Sequence, residues 1–176
     1  MGLDNVQVMV PFCRRLSEAR DVLAAMARHG LVRESPEQAS QPGTPLRIVA
    51  MCEIPNNVIL IDDFAALFDA FSIGSNDLTQ LTLGVDRDSA LVADAFDERD
   101  PGMLAMYRLA IDGAHRHGRP IGICGQAPSD HPDLARALIE MGIDSLSLTP
   151  DRLVATLHAV AGFEAAVAPA TPGVPR

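Results

Sequence analysis

Lysine is absent from this chain of 176 residues, so all 14 of its basic side chains are arginine. That absence excludes a Schiff-base lysine and a P-loop lysine from its chemistry. Cysteine is scarce: Cys13, Cys52 and Cys124 lie far apart, form no CxxC pair and are odd in number. A disulfide framework is therefore not expected, and a reduced, cytoplasmic compartment fits best. Long apolar runs are missing too; none approaches the ~20 residues of a membrane span. The start of the sequence has no basic region followed by an apolar stretch, so no secretory signal is expected. Positive charge is in deficit, with a formal net charge of -9. Phosphate neutralisation needs clustered basic residues, so a nucleic-acid partner is not expected. An anionic small molecule would need a metal or arginines to bind.

What is present reads as one globular unit. The chain is 48% hydrophobic, enough to bury a sizeable core. Short apolar runs alternate with amphipathic stretches of helical length. Strands are expected at 6–10, 46–52, 70–73, 120–124 and 145–148. Helices are expected at 17–29, with Ser17 as N-cap, and at 57–67, 76–83, 102–117, 130–141 and 150–167. Residues 33–45, rich in Pro, Ser, Gln and Gly, read as an exposed loop, and 169–176 as a disordered tail after a domain over 1–168. Five βα units in alternation mean a parallel α/β sheet with helical crossovers. A full (β/α)₈ barrel takes ~250 residues, so length alone favours an open doubly wound sheet.

Three strand ends carry unusual chemistry. In parallel α/β folds, ligands bind outside the carboxyl ends of the strands. There the sequence places Glu53 after one strand and Asn76-Asp77 after the next. Alternation sets Cys52 on the face opposite Glu53, which makes Cys52 a core residue. Glu53 and Asp77 would be two hard oxygen donors, a set that suits Mg²⁺ completed by waters and substrate oxygens. From spacing alone, helix capping is the more common role for acids so placed. Cys124, between Gly122 and Gly125, reads either as an unshielded proton carrier or as a small buried hydrophobe.

Together these segments resemble one family. Met51-Cys52-Glu53-Ile54-Pro55, the run from Ser72 through Gly74-Ser75-Asn76-Asp77 to Leu81, and Asp86-Arg87-Asp88-Ser89 come first. Phe96-Asp97-Glu98-Arg99, Gly122-Ile123-Cys124-Gly125-Gln126 and Asp144-Ser145-Leu146-Ser147-Leu148 follow in order. They are similar to the C-terminal PEP/pyruvate-binding barrel domain of the PEP-utilising enzymes. Gln126 favours the phosphoenolpyruvate synthase (pyruvate, water dikinase) branch, since relatives usually carry Cys-Gly-Glu.

The resemblance implies a partial (β/α)₈ TIM barrel of about five βα units, opening at the family's fourth strand. It implies conversion of pyruvate, ATP and water to phosphoenolpyruvate, AMP and phosphate through a phosphohistidine on another domain. Glu53 and Asp77 would hold Mg²⁺. Gly74, Ser75 and Asn76 would contact pyruvate, and Cys124 would carry the C3 proton. The phosphohistidine, nucleotide-binding and N-terminal barrel regions, with their arginines, would come in trans or from a longer chain, or the chain would self-associate. None of the five histidines lies in a phosphohistidine motif; His131 reads as a helix start, and Arg87 as a turn residue or a neighbour of the strand ends. Two other functions stay open: a metal-dependent pyruvate-type lyase or aldolase, and a non-catalytic remnant.

Overall fold

The computed structural model describes residues 6–33 and 44–167. Its elements run β1 (Gln7–Val10), α1 (Leu16–Arg28), β2 (Leu31–Arg33), β3 (Thr44–Cys52), α2 (Pro55–Ile59), α3 (Ile61–Leu67), β4 (Ala70–Gly74) and α4 (Ser75–Leu83). They continue with α5 (Pro101–Arg116), β5 (Ile121–Cys124), α6 (Ala127–Asp130), α7 (Pro132–Glu140), β6 (Ser145–Leu146) and α8 (Leu153–Val167). Every strand pairing is parallel, in the order β1-β3-β4-β5-β6, with β2 lying along the start of β3.

Alternation along the strands divides the sheet into two faces. Ile48, Ala50 and Cys52 of β3, Phe71 and Ile73 of β4, and Ile121 and Ile123 of β5 are buried in one core with Phe64, Tyr107 and Leu138 from the helices. The other face carries Gln7, Arg47, Ser72 and Ser145, which line a concave surface of ≈ 280 Å³. An apolar outer face under helices and a more polar inner face is the division a βα barrel wall requires.

Two aspartates set the register at the strand starts. Asp69 N–H donates to Ile48 O (2.9 Å) while its Oδ2 accepts from Ile48 N–H (2.9 Å). Asp144 repeats the arrangement one pair of strands along, donating to Ile121 O (3.0 Å) and accepting from Ile121 N–H (2.7 Å). Each closes the first rung between neighbouring strands with a side chain.

The expected elements appear with shifts that have local causes. Ser17 does not cap α1: the N-cap is Arg15, with no side-chain cap bond, and Glu18 Oε2 accepts from Arg14 N–H instead (2.9 Å). The expected 57–67 helix starts earlier, at Pro55, and breaks at Leu60. The expected 130–141 helix is split at His131, which Pro132 forces into an extended conformation (φ -124°, ψ 90°). The 33–45 loop is bracketed by paired strand, since Leu31–Arg33 run alongside Thr44, Pro45 and Leu46. Arg33 is anchored there by Asp69 Oδ1 (2.7 Å) and by the Ala66 and Phe68 carbonyls. The expected tail at 169–176 lies outside the described residues.

Candidate active site

The three chemically unusual strand ends meet at one edge of the sheet. Cys52 pairs with Ile73 and Gly74 with Cys124, so Glu53, Gly74 and Cys124 follow one another across the carboxyl ends of β3, β4 and β5. Cys52 is fully buried on the helix face, and burial pushes its thiol up to about 12. It is a core residue, as alternation predicts.

Glu53 is buried, with 3% of its surface exposed. Its Oε1 accepts the N–H of Phe12, a residue held at φ 50° in the turn after β1. A non-glycine residue in that region is strained, and the bond to Glu53 is one of the contacts that hold it. Two neighbouring amides fasten the same turn: Asn57 Nδ2 donates to Cys13 O (2.7 Å) and Asn56 Nδ2 to Arg14 O (2.8 Å). Capping the following helix is not the role of Glu53. The N-cap is Ile54, with no side-chain cap bond, and Asn57 Oδ1 reaches back to the approach to the helix, accepting from Ile54 N–H at 3.0 Å and Glu53 N–H at 3.3 Å. Burial pushes the Glu53 carboxyl up, the Phe12 N–H pulls it down, and the charge of Asp77 pushes it up further. The charge of Asp77 is therefore near enough to act on the Glu53 carboxyl.

Gly74 makes room for the Glu53 side chain against the end of β4. A Cβ at Gly74 would lie 2.7 Å from Glu53 Cβ and 2.8 Å from Glu53 Oε2. Ser75, Asn76 and Asp77 form the first turn of α4, which has no side-chain cap bond. Ser75 is fully buried, while Asn76 and Asp77 are half-buried. Asp77 gains from the free N–H groups of that turn without closing it.

Cys124 is half-buried, its Sγ 3.5 Å from Ile73 O. Gly125 follows at φ 141°, and a Cβ there would lie 2.2 Å from Ser75 Oγ. The bare backbone at Gly125 is what leaves room for Ser75 beside the thiol. Among the three thiols, Cys13 and Cys52 are buried and pushed up by burial, and Cys124 alone has part of its surface open.

A second layer comes from the charged connection between α4 and α5. Arg87 and Glu98 both reach Asn76, with Arg87 Nη1 3.1 Å from its amide oxygen in the amide orientation that satisfies both neighbours. Arg87 thus stands near the strand ends. Its own stretch is also a turn, closed by Asp86 Oδ1 accepting from Asp88 N–H (3.0 Å). His131 starts α7 and shares a cleft of ≈ 370 Å³ with Asp97, Glu98 and Arg99. Neither Phe12 nor Glu98 was given a role from the sequence. The only signal for Glu98 was its place in the Phe96-Asp97-Glu98-Arg99 segment.

Among the described residues, no group of three or more His, Cys, Asp and Glu is placed to hold a metal ion. Two carboxylates are enough for Mg²⁺, which fills its other positions with waters and substrate oxygens, so the donor set fits that ion. No helix among the described residues is long and apolar enough to cross a membrane.

A parallel sheet with helices on one face, and with acid, amide and thiol at its carboxyl edge, is the arrangement of part of a βα barrel wall, with those groups at the edge where such folds bind ligands. Residues 2–165 match the model of the PEP-utilising enzyme, PEP-binding domain, and the chain belongs to that family. Phosphoenolpyruvate synthase of Synechocystis sp. is 55% identical over 167 residues, covering 95% of this chain and 19% of the relative. Those of Helicobacter pylori (52% over 164 residues, 93% of this chain, 19% of the relative) and Escherichia coli (50% over 156 residues, 89% and 19%) are also similar. The chain thus spans about a fifth of the length of the curated relatives it matches.

Among solved structures, a pyruvate kinase of Cryptosporidium parvum superposes with a TM-score of 0.64 at 12% identity, covering 93% of this chain and 33% of that one. An HpcH/HpaI aldolase/citrate lyase family protein of Burkholderia cenocepacia gives 0.59 at 16% identity, covering 91% and 65%. At such identities these likenesses show the fold, which is part of a TIM-type barrel.

Proposed function

We propose that this chain forms the pyruvate- and phosphoenolpyruvate-binding wall of a phosphoenolpyruvate synthase. The observation that supports this best is the convergence of Glu53, Gly74, Asp77 and Cys124 on one strand-end edge in a chain 55% identical to such a synthase. The aldolase and lyase neighbours share the fold at under a fifth sequence identity, and nothing specific in the site favours their chemistry.

The chemistry needed is removal of a methyl proton next to a carbonyl. The Cys124 thiolate takes a proton from C3 of pyruvate, the C–H electron pair becomes the C2–C3 double bond, and the carbonyl oxygen gains the negative charge. The Ser75 backbone N–H and the Asn76 side-chain amide donate hydrogen bonds to the substrate, and the missing side chain at Gly74 lets it approach the backbone. Arg87, beside Asn76, supplies positive charge for the anion. Mg²⁺ held by Glu53 and Asp77 would act as a Lewis acid at the developing oxyanion. The enolate oxygen then attacks the phosphorus of a phosphohistidine, and the P–N bond breaks with its electron pair left on the imidazole. That phosphohistidine and the nucleotide site belong to regions supplied in trans or by a longer chain.

Two further features belong to this proposal. Free thiols at Cys13, Cys52 and Cys124 suit a reducing cytoplasm. Strands β1 and β6, each with one paired neighbour among the described residues, suit association with further barrel units or with a second copy.

Exchange of the pyruvate methyl protons into D₂O, followed by NMR, tests the reading without any phosphoryl donor. The purified chain should catalyse exchange only with Mg²⁺, and Cys124→Ala should abolish it. Exchange that is unchanged in Cys124→Ala, or independent of Mg²⁺, would overturn these assignments.

A further inference from the structure

Asn76 lies between an acid and a base that both come from the connection linking α4 to α5. With its amide turned so that each end meets a partner, Nδ2 donates to Glu98 Oε1 at 3.3 Å and Oδ1 accepts from Arg87 Nη1 at 3.1 Å. The opposite orientation sets oxygen against carboxylate and N–H against guanidinium, so it is strongly disfavoured.

Glu98 is half-buried, and burial pushes its carboxyl up while a hydrogen bond from Ser75 and the nearby His131 pull it down. Ser75 Oγ also lies 3.5 Å from Cys124 O, at the limit of a hydrogen bond. Glu98 thus accepts from the Asn76 amide and lies near Ser75, the residue before it.

We infer that Glu98 is a positioning residue for the candidate site. It locks the Asn76 amide so that its N–H edge, not its oxygen, is presented with Arg87 to an anionic 2-oxo acid. Without Glu98 only Arg87 orients the amide, and each turn-over would set its oxygen towards the substrate carboxylate. This inference rests on the pyruvate reading above.

The test uses the full chain labelled with ¹⁵N, in which the Asn76 side-chain amide signals are those lost in Asn76→Ala. Glu98→Ala should move these signals towards the shifts of a solvent-exposed asparagine, with or without substrate. It should also raise the pyruvate concentration for half-maximal proton exchange about tenfold, the size of one hydrogen bond to a charged group. The exchange rate at saturating pyruvate should fall far less, which a general loss of structure would not produce. Glu98→Gln keeps the shape and one accepting oxygen, so it should give a smaller shift in the same direction and serves if the alanine variant does not fold.

Unmoved Asn76 signals in both variants would overturn the inference. So would an unchanged half-maximal concentration when the signals do move. If the unsubstituted chain exchanges no protons while the amide still responds to Glu98→Ala, the pyruvate reading fails, and the substrate part of this inference fails with it.

Discussion

Gly74 and Glu53 touch across the ends of two neighbouring strands so closely that a methyl group on Gly74 would sit 2.7 Å from Glu53 Cβ. The backbone at Gly74 has φ -86°, which any residue can adopt, so close approach and not conformation demands glycine there. Gly74→Ala should force the Glu53 carboxylate away from Asp77 and the Phe12 N–H. The expected cost is about 1–3 kcal/mol in urea unfolding, as for other overpacked sites. Mg²⁺-dependent proton exchange should be lost with it. Unchanged stability and exchange in Gly74→Ala would show that the site has slack the structure does not display.

The strand-end acids and thiol were legible because each follows a short apolar run that only a buried parallel strand explains. Leu46 to Cys52 and Ala70 to Ile73 announce their own ends, and whatever polar group comes next lies at the ligand edge. The partners of those groups were not legible, since they arrive from far along the chain. Phe12 meets Glu53 across 41 residues, and Glu98 reaches Asn76 only after α4 and a charged connection. β2 was missed for a similar reason: Leu31–Arg33 is too short to show a period, and pairing with Thr44–Leu46 defines it as a strand. The split at His131 was readable in principle, because Pro132 disfavours helical geometry in the residue before it.

Thiol reactivity should separate the three cysteines. Cys52 has no exposed surface and its thiol is pushed up to about 12 by burial, while Cys13 is buried and also pushed up. Alkylation needs both a thiolate and access, so Cys124, the half-buried one, should be modified first in the native chain. Mass spectrometry after brief treatment with iodoacetamide near neutral pH should find the label on Cys124, with Cys13 and Cys52 reacting only in denaturant. Pyruvate with Mg²⁺ should slow the modification of Cys124. Rapid labelling of Cys52 in the native chain would contradict its place in the core.

Asp144 gives a pH dependence whose sign is fixed by its partners. Burial pushes its carboxyl up, but the Ile121 N–H (2.7 Å) and His115 Nε2 (2.9 Å) outweigh that and hold it below the usual carboxylate range. As pH falls, the unfolded chain therefore binds a proton at this position before the folded chain does. The stability Asp144 contributes is present above the ordinary carboxylate pKa and is lost as the pH drops through the depressed folded value. Asp144→Asn should cost on the order of 1 kcal/mol at neutral pH, the size of one ordinary hydrogen bond. The gap between the two proteins in urea unfolding should narrow below about pH 4. A gap that stays constant from neutral pH to acid would place the contribution of Asp144 in packing instead of charge.

The edges of the sheet bear on how the chain behaves alone. Along the path β1-β3-β4-β5-β6, each end strand is paired on one side only among the described residues, so backbone N–H and C=O groups of Gln7–Val10 remain available on the other. Leu153, Val154 and Leu157 of α8 are exposed on one stretch of helix, and Met9 is exposed on β1. Charged or proline residues that would blunt an edge are missing from β1, whose sequence is Gln-Val-Met-Val. Purified chain should therefore sediment as a concentration-dependent mixture with species larger than 18.7 kDa. A sharp monomer over a wide concentration range, unfolding in one cooperative transition, would show instead that the described strands are stable as an open sheet and that the barrel wall needs no partner to hold its shape.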